Sequence, residues 1–231
     1  MEPRWYHIYN RGIDGRQVFT SSGDYDKFIW VLKTYLGEFK IKQDPRFKTD
    51  RPYISRHKQR MNLHDKVCLA AYCLMPNHFH LLVQPESAGR VTYLMRRAMT
   101  NYGMYFNQKY QRRGTLWEGS YRCVEVWGEE RIVHLSRWIH LNPLQQEIRR
   151  FGLVTTVTGA RPEEYLYSSY HWYLHTGEID DWIRPDLVLD IFKGFNQGRW
   201  GSYQQFIEDS RLNTVSIIGS MAIDTGREKI S

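Results

Sequence analysis

The sequence predicts an α+β fold built on an antiparallel sheet. Three observations carry this reading. Two apolar runs, Val67 to Leu74 and His78 to Gln84, flank a short turn. Strand-like and helix-like patterns alternate on either side of that pair. Hydrophobic residues fill 42% of the 231 positions, enough for one sizeable core or a core with a small appendage.

Trp5 to Arg11 (WYHIYNR) alternates bulky and polar side chains and stops at Gly12, as a first strand entering a turn does. Asp24 to Leu36 sets Phe28, Val31, Leu32 and Tyr35 on one helical face, behind the capping candidates Ser21 and Ser22. Periodicity then fails over residues 37–66, where Lys40, Lys42, Arg46, Lys48, Arg51, Arg56, Lys58 and Arg60 make a basic insertion. A solvated connector and a basic flap both fit it.

The two apolar runs form a hairpin around Met75-Pro76-Asn77. Val91 to Tyr110 reads as a helix with Leu94, Ala98, Tyr102 and Tyr105 roughly aligned, ended by Gln111 to Gly114. Tyr121 to Trp127 is the next strand. Glu129 to Leu141 is a helix with acidic residues in its first turn, expected to stop at Asn142 ahead of Pro143. The order β-α-β-β-α-β-α is the ferredoxin-like arrangement, an antiparallel sheet with helices on one face, plus an additional helix against the sheet. After Pro143 come short helical pieces, Leu187 to Phe192 and Tyr203 to Ile207. The expected organisation is a core unit over 1–145, a helical C-terminal extension over 146–212 and a weakly patterned tail over 213–231.

Composition narrows the function classes. Against 25 Asp+Glu stand 32 Lys+Arg, a net charge of +7 that favours a polyanionic partner through counterion release. No apolar run reaches the ~20 residues of a membrane span, and Met1 to Gly12 lacks the segments of a signal peptide, so a cytoplasmic address is expected. Cys68, Cys73 and Cys123 are odd in number and lack CxxC pairing, which argues against a disulfide framework or structural zinc and reads as core thiols. The 8 Trp and 16 Tyr can serve the interior or stack on bases.

His78 and His80 stand two apart on a strand, so both imidazoles leave one face and Phe79 the other. Two such rings can share a divalent cation, or they are merely polar residues at a strand start.

The string Tyr72-Cys73-Leu74-Met75-Pro76-Asn77-His78-Phe79-His80-Leu81-Leu82-Val83 resembles the HUH strand of REP-associated tyrosine transposases, in the HUH single-strand transposase superfamily. The resemblance continues at His7-Ile8-Tyr9-Asn10-Arg11-Gly12, at Gly114-Thr115-Leu116-Trp117-Glu118-Gly119-Ser120-Tyr121-Arg122 and at Ile139-His140-Leu141-Asn142-Pro143, with a weaker echo at Tyr167-Ser168-Ser169-Tyr170. It implies a Mg²⁺- or Mn²⁺-dependent transposase that opens one strand of single-stranded or hairpin DNA. A tyrosine attacks the phosphate, leaving a 5′-phosphotyrosine and a free 3′-hydroxyl. It further implies that His78, His80 and Asn142 are the metal ligands, and that the chain is a monomer or homodimer.

The same resemblance places Trp138 at the nucleophile's position, four residues before Asn142. Helical spacing sets Arg131, His134, Trp138 and Asn142 on one face, although an Asn before a Pro also reads as a helix cap. An indole has one N–H and no ionisable oxygen, so Trp138 cannot form a phosphodiester linkage. Three routes follow: a substitute phenol from Tyr102, Tyr105 or Tyr121, hydrolysis by metal-bound water, or DNA binding without cutting, with Trp138 stacked on a base.

Arg96, Arg97, Lys109, Arg112, Arg113 and Arg122 gather near Trp117 and Tyr121, a mixture suited to a groove that tracks a nucleic-acid backbone. Arg11 is a further phosphate candidate, and Arg149, Arg150 and Arg161 could hold a hairpin's flank. Two rival classes are weighed beside this one. A small metallohydrolase needs an acidic base near the His pair, with Glu86 the nearest in sequence. An RNA-binding module needs aromatic sheet motifs that are not evident.

Overall fold

The computed structural model describes residues 3–38, 61–151, 161–175, 177 and 179–212. Most of the basic insertion and the tail from residue 213 therefore lie outside the described residues, as do the side chains of Arg149 and Arg150.

Four strands, β1 (Trp5–Arg11), β2 (Val67–Met75), β3 (His78–Pro85) and β4 (Arg122–Val126), make one antiparallel sheet in the order β2-β3-β1-β4. That is the ferredoxin-like order expected from the element sequence. Helices α1 (Ser22–Leu36) and α2 (Ala88–Lys109) cover one face, and α3 (Glu129–Phe151) covers the other. Behind α3 stand α4 (Tyr170–Leu174), α5 (Asp186–Asn196) and α6 (Tyr203–Leu212). No helix among the described residues is long and apolar enough to cross a membrane.

Strand alternation sorts the side chains into two cores. Tyr6 and Ile8 of β1 and Phe79, Leu81 and Val83 of β3 join α1 and α2. Trp5 of β1 and Leu82 of β3 join α3 and the C-terminal helices. In β2 a bulge between Leu69 and Ala71 shifts the register, so Leu69 and Tyr72 face the first core while Ala71 and Cys73 face the second. Burying side chains such as Phe79 and Leu82, both fully enclosed, contributes about 1.5–3 kcal/mol each.

Helix α1 is set by the Asp24 carboxylate at its third position, which accepts the Thr20 and Ser21 N–H groups at 2.9 Å. Asp24 also receives Lys109 Nζ and the Tyr110 hydroxyl, both at 2.7 Å, which ties α1 to the end of α2.

Two expectations need correction, and one element was not foreseen. Helix α3 does not stop at Asn142: it runs on to Phe151 with Pro143 inside it. Proline there removes one backbone bond, a local loss that leaves the rest of the helix free to continue. Of the cysteines, Cys73 is buried, but Cys68 is half-buried and Cys123 exposed on β4, so they are not all core thiols. Finally, Tyr170–Leu174 is a short helix that five residues of sequence are too few to reveal.

Candidate metal centre

The side chains of Trp5, His7 and Tyr9 leave β1 on the same face as His78, His80 and Leu82 of β3, because Tyr9 pairs with His80 and His7 with Leu82 across the strands. The result is a patch of three imidazoles and a phenol under α3. His80 lies between the rings of His7, at a centroid distance of 5.1 Å, and His78, at 5.0 Å. The Tyr9 ring stands 4.9 Å from His7 and 5.8 Å from His80.

Helix α3 closes the patch from above. Asn142, only 6% exposed, brings Oδ1 to 3.2 Å from His78 Nε2. One turn earlier, the half-buried Trp138 meets His80 edge-on at 4.7 Å and His7 at 5.8 Å. His78, His80, Asn142 and Trp138, all singled out in the sequence, thus gather at one place.

Two imidazole nitrogens and an amide oxygen are donors that a divalent cation could share. Asn77 Oδ1 lies 2.6 Å from His78 Nδ1, and Asn142 Oδ1 lies 3.2 Å from His78 Nε2. An octahedral Mg²⁺ with ligands at about 2.1 Å separates neighbouring donors by about 3.0 Å, close to the spacing of this pair. Among the described residues there is no group of three or more His, Cys, Asp or Glu that could hold a metal, so this set depends on the amide of Asn142 as its oxygen donor.

Burial disfavours the charged form of His7 and His80. It holds the pKa of His7 down at about 4. The same burial, reinforced by the neighbouring His7 and His78, holds His80 well below the ordinary imidazole value. Neutral imidazole is the ligating form.

The far side of α3 is locked to the C-terminal helices. His140 Nδ1 lies 3.0 Å from the Tyr203 hydroxyl and His140 Nε2 lies 2.9 Å from Ser169 Oγ, while Ser136 Oγ is 2.8 Å from the same Tyr203 hydroxyl. His134, grouped by spacing with Trp138 and Asn142, turns instead to Phe195 and Phe206 of α5 and α6. Arg131 is exposed.

Other candidates lie elsewhere. Tyr102 is buried in the first core, donating to the Val18 carbonyl at 2.5 Å, and Tyr105 donates to Asp24 at 3.2 Å. Tyr121 packs on that core and donates to Thr92 Oγ1 at 3.2 Å. All three phenols belong to the sheet face opposite the His pair. Trp117, 5% exposed, is wedged against Phe79, Phe28 and Tyr102.

The basic residues divide into engaged and open ones. Lys109 pairs with Asp24, Arg11 with Glu118, and Arg112 donates to Asn107 Oδ1 at 2.8 Å. Arg97 lies over the Tyr93 ring at 4.1 Å. Arg96, Arg113, Arg122 and Arg161 are exposed.

Sequence reasoning missed the placement of His7, Tyr9 and Asn77. Alternation in WYHIYNR puts His7 and Tyr9 on one face, but only the strand order brings that face beside the His pair.

Residues 5–142 match the family model described as Transposase IS200 like. No curated protein matches the chain. Among solved structures, it is similar to a REP-associated tyrosine transposase bound to a REP hairpin, with 12% identity over 79% of this chain and 85% of that one and a TM-score of 0.44. It is also similar to a candidate transposase from Deinococcus radiodurans R1, with 18% identity over 65% of this chain and 92% of that one and a TM-score of 0.36.

Proposed function

The chain belongs to the IS200-like transposase family, and from that premise we propose that it binds single-stranded or hairpin DNA at a divalent-cation site of His78, His80 and Asn142 without cutting it through a tyrosine. The observation that carries this reading is the 3.2 Å approach of His78 Nε2 and Asn142 Oδ1 beneath the helix that also brings Trp138 to His80; the sequence resemblance puts Trp138 at the nucleophile's place. Bound Mg²⁺ or Mn²⁺ supplies positive charge beside a DNA phosphate.

The chain's own residues do the rest. His78 and His80 offer nitrogen donors from β3, and Asn142 offers a carbonyl oxygen from α3. Trp138 packs edge-on to His80, and its indole face is where a base would stack. It has no oxygen to attack phosphorus. Tyr102, Tyr105 and Tyr121 lie across the sheet, and in-line attack tolerates only ~1 Å of misplacement, which argues against these three as substitutes; Tyr9, on the face of the His pair, is the phenol a covalent product would implicate. The exposed Arg96, Arg113 and Arg122 would hold the DNA backbone.

The metallohydrolase reading loses its base. Glu86 follows the far end of β3, six residues or about 20 Å along the strand from His80, and pairs with Arg90.

The test is a labelled single strand carrying a hairpin, incubated with the protein and Mn²⁺ and run on native and denaturing gels. A shifted but intact strand is expected. A covalent protein–DNA band would contradict the proposal by revealing a substitute tyrosine, and free cleavage products would contradict it by revealing hydrolysis.

A further inference from the structure

We propose that Tyr9 and Arg122 form a phosphate subsite for the bound DNA strand, on the part of the sheet that adjoins the His patch and that α3 leaves open. The Arg122 guanidinium pairs with a backbone phosphate, and the Tyr9 hydroxyl donates to the same phosphate. The inference rests on the reading of the chain as a DNA binder at His78, His80 and Asn142, and names where the strand runs beyond that site.

Strand register places the two residues. Tyr9 pairs with His80 of β3 on one side and with Arg122 of β4 on the other, and residues directly opposite in an antiparallel pair share a face. Arg122, Tyr9 and His80 therefore make one row across three strands, on the face that carries His7 and His78. Two strand spacings, about 10 Å, separate Arg122 from His80 along that row. A strand with one phosphate beside the His patch can lay the adjoining stretch of backbone on Arg122.

The β4 end of that face has little cover. Helix α3 packs on β2 and β3. Of the β4 side chains on the His face, Arg122 is exposed and Val124, opposite His7, is 50% exposed. Trp138 stands at the border of the covered part, edge-on to His7 and His80. An open strip thus runs between an indole and the edge of the sheet.

The chemistry of the strip suits an anion. Two arginines stand in register with the patch. Arg11, opposite His78, is tied to the Glu118 carboxylate, donating from Nη2 to Oε1 at 2.8 Å. Arg122 acts on that carboxylate only from a distance, so its guanidinium keeps its donors for phosphate, which it can grip through two charge-assisted bonds. Tyr9 is half-buried, its ring held 4.9 Å from His7 and 5.8 Å from His80. Among the described residues its hydroxyl has no hydrogen-bond partner, which leaves an O–H donor on the same row as the guanidinium.

The test measures, by fluorescence anisotropy in Mn²⁺, the affinity of the whole chain for a hairpin-bearing single strand that carries one neutral methylphosphonate at a time. In the wild type, one linkage or two adjacent ones should each cost about tenfold when neutralised. In Arg122→Ala the same linkages should cost almost nothing, because the charge they meet is gone. The unmodified strand should bind Arg122→Ala and Tyr9→Phe about tenfold more weakly, with the slope of log affinity against log salt lowered by about one in Arg122→Ala alone. Melting temperature and calorimetric Mn²⁺ affinity should match the wild type in both variants. A methylphosphonate profile unchanged by Arg122→Ala overturns the subsite, as does wild-type DNA affinity in either variant. A loss of Mn²⁺ affinity in Tyr9→Phe overturns it by assigning Tyr9 to the cation. A wild type that binds no hairpin strand defeats the DNA-binding reading itself, and the subsite with it.

Discussion

The Trp138 indole lies edge-on to the His80 imidazole, with ring centroids 4.7 Å apart and planes at 78°. One turn further along the same helix, Asn142 Oδ1 reaches His78. Helix α3 therefore brings an amide oxygen and, one turn away, an indole to the same patch. On the proposed reading these are a cation ligand and the replaced nucleophile, and each can be altered alone.

His78→Ala and Asn142→Ala should each weaken Mn²⁺ binding by at least about tenfold, because each removes a donor from a small set. Asn142→Asp should tighten it, since a carboxylate adds charge at the same oxygen position. Calorimetric titration distinguishes the three variants. Equal affinity in all of them would place the cation elsewhere.

Asp24 is a stability determinant. Burial works against its charged form, but hydrogen bonds from Lys109, Tyr110 and Thr20 outweigh that and hold its pKa far below the ordinary carboxylate range. A carboxyl depressed in the folded state stabilises at pH above its unfolded pKa, about 4, and loses that contribution as pH falls toward the folded value. Asp24→Asn should cost about 3 kcal/mol at neutral pH and flatten the acid limb of the melting temperature against pH. An unchanged acid limb would show that other carboxylates govern it.

Tyr102→Phe, Tyr105→Phe and Tyr121→Phe should leave DNA binding and the intact state of the strand unchanged, because these phenols belong to the opposite face of the sheet. Tyr102→Phe should still cost about 1 kcal/mol, through the orphaned Val18 carbonyl. A loss of DNA binding in Tyr121→Phe would extend the nucleic-acid surface across the sheet edge.

The basic residues should divide in the same way. Arg96→Ala and Arg113→Ala should weaken DNA binding and each lower the slope of log affinity against log salt by about one. Lys109→Ala should lower the melting temperature, since it strands the fully buried Asp24, and should leave that slope unchanged. Gel shifts over a salt series, read beside thermal melts, separate the two groups.

Much of the fold was legible in the sequence where a local period carries it. The alternation of WYHIYNR matched β1 to the residue, and the two apolar runs around Met75-Pro76-Asn77 gave the hairpin. The His pair was legible because period two fixes its common face. Pro143 misled, since the cost of an internal proline is local whereas the packing that holds α3 comes from Tyr203 and Ser169, far along the chain. The placement of His7 was hidden for a related reason. Alternation says that His7 shares a face with Tyr9, but the pairing of β1 with β3 is a long-range property that brings His7 to His80. Trp117 shows the opposite limit: proximity in sequence to arginines suggested a surface platform, while Phe28, Phe79 and Tyr102 pack around it.

The central claim is that a family metal site stands intact beside an incompetent nucleophile position. The most direct measurement compares wild type with Trp138→Tyr on a labelled hairpin-bearing strand in Mn²⁺, resolved on a denaturing gel. The account predicts no covalent product from the wild type and a protein-linked DNA band from Trp138→Tyr, abolished again by adding His78→Ala. A covalent band from the wild type, or none from a Trp138→Tyr protein that still binds Mn²⁺ and DNA, would contradict it.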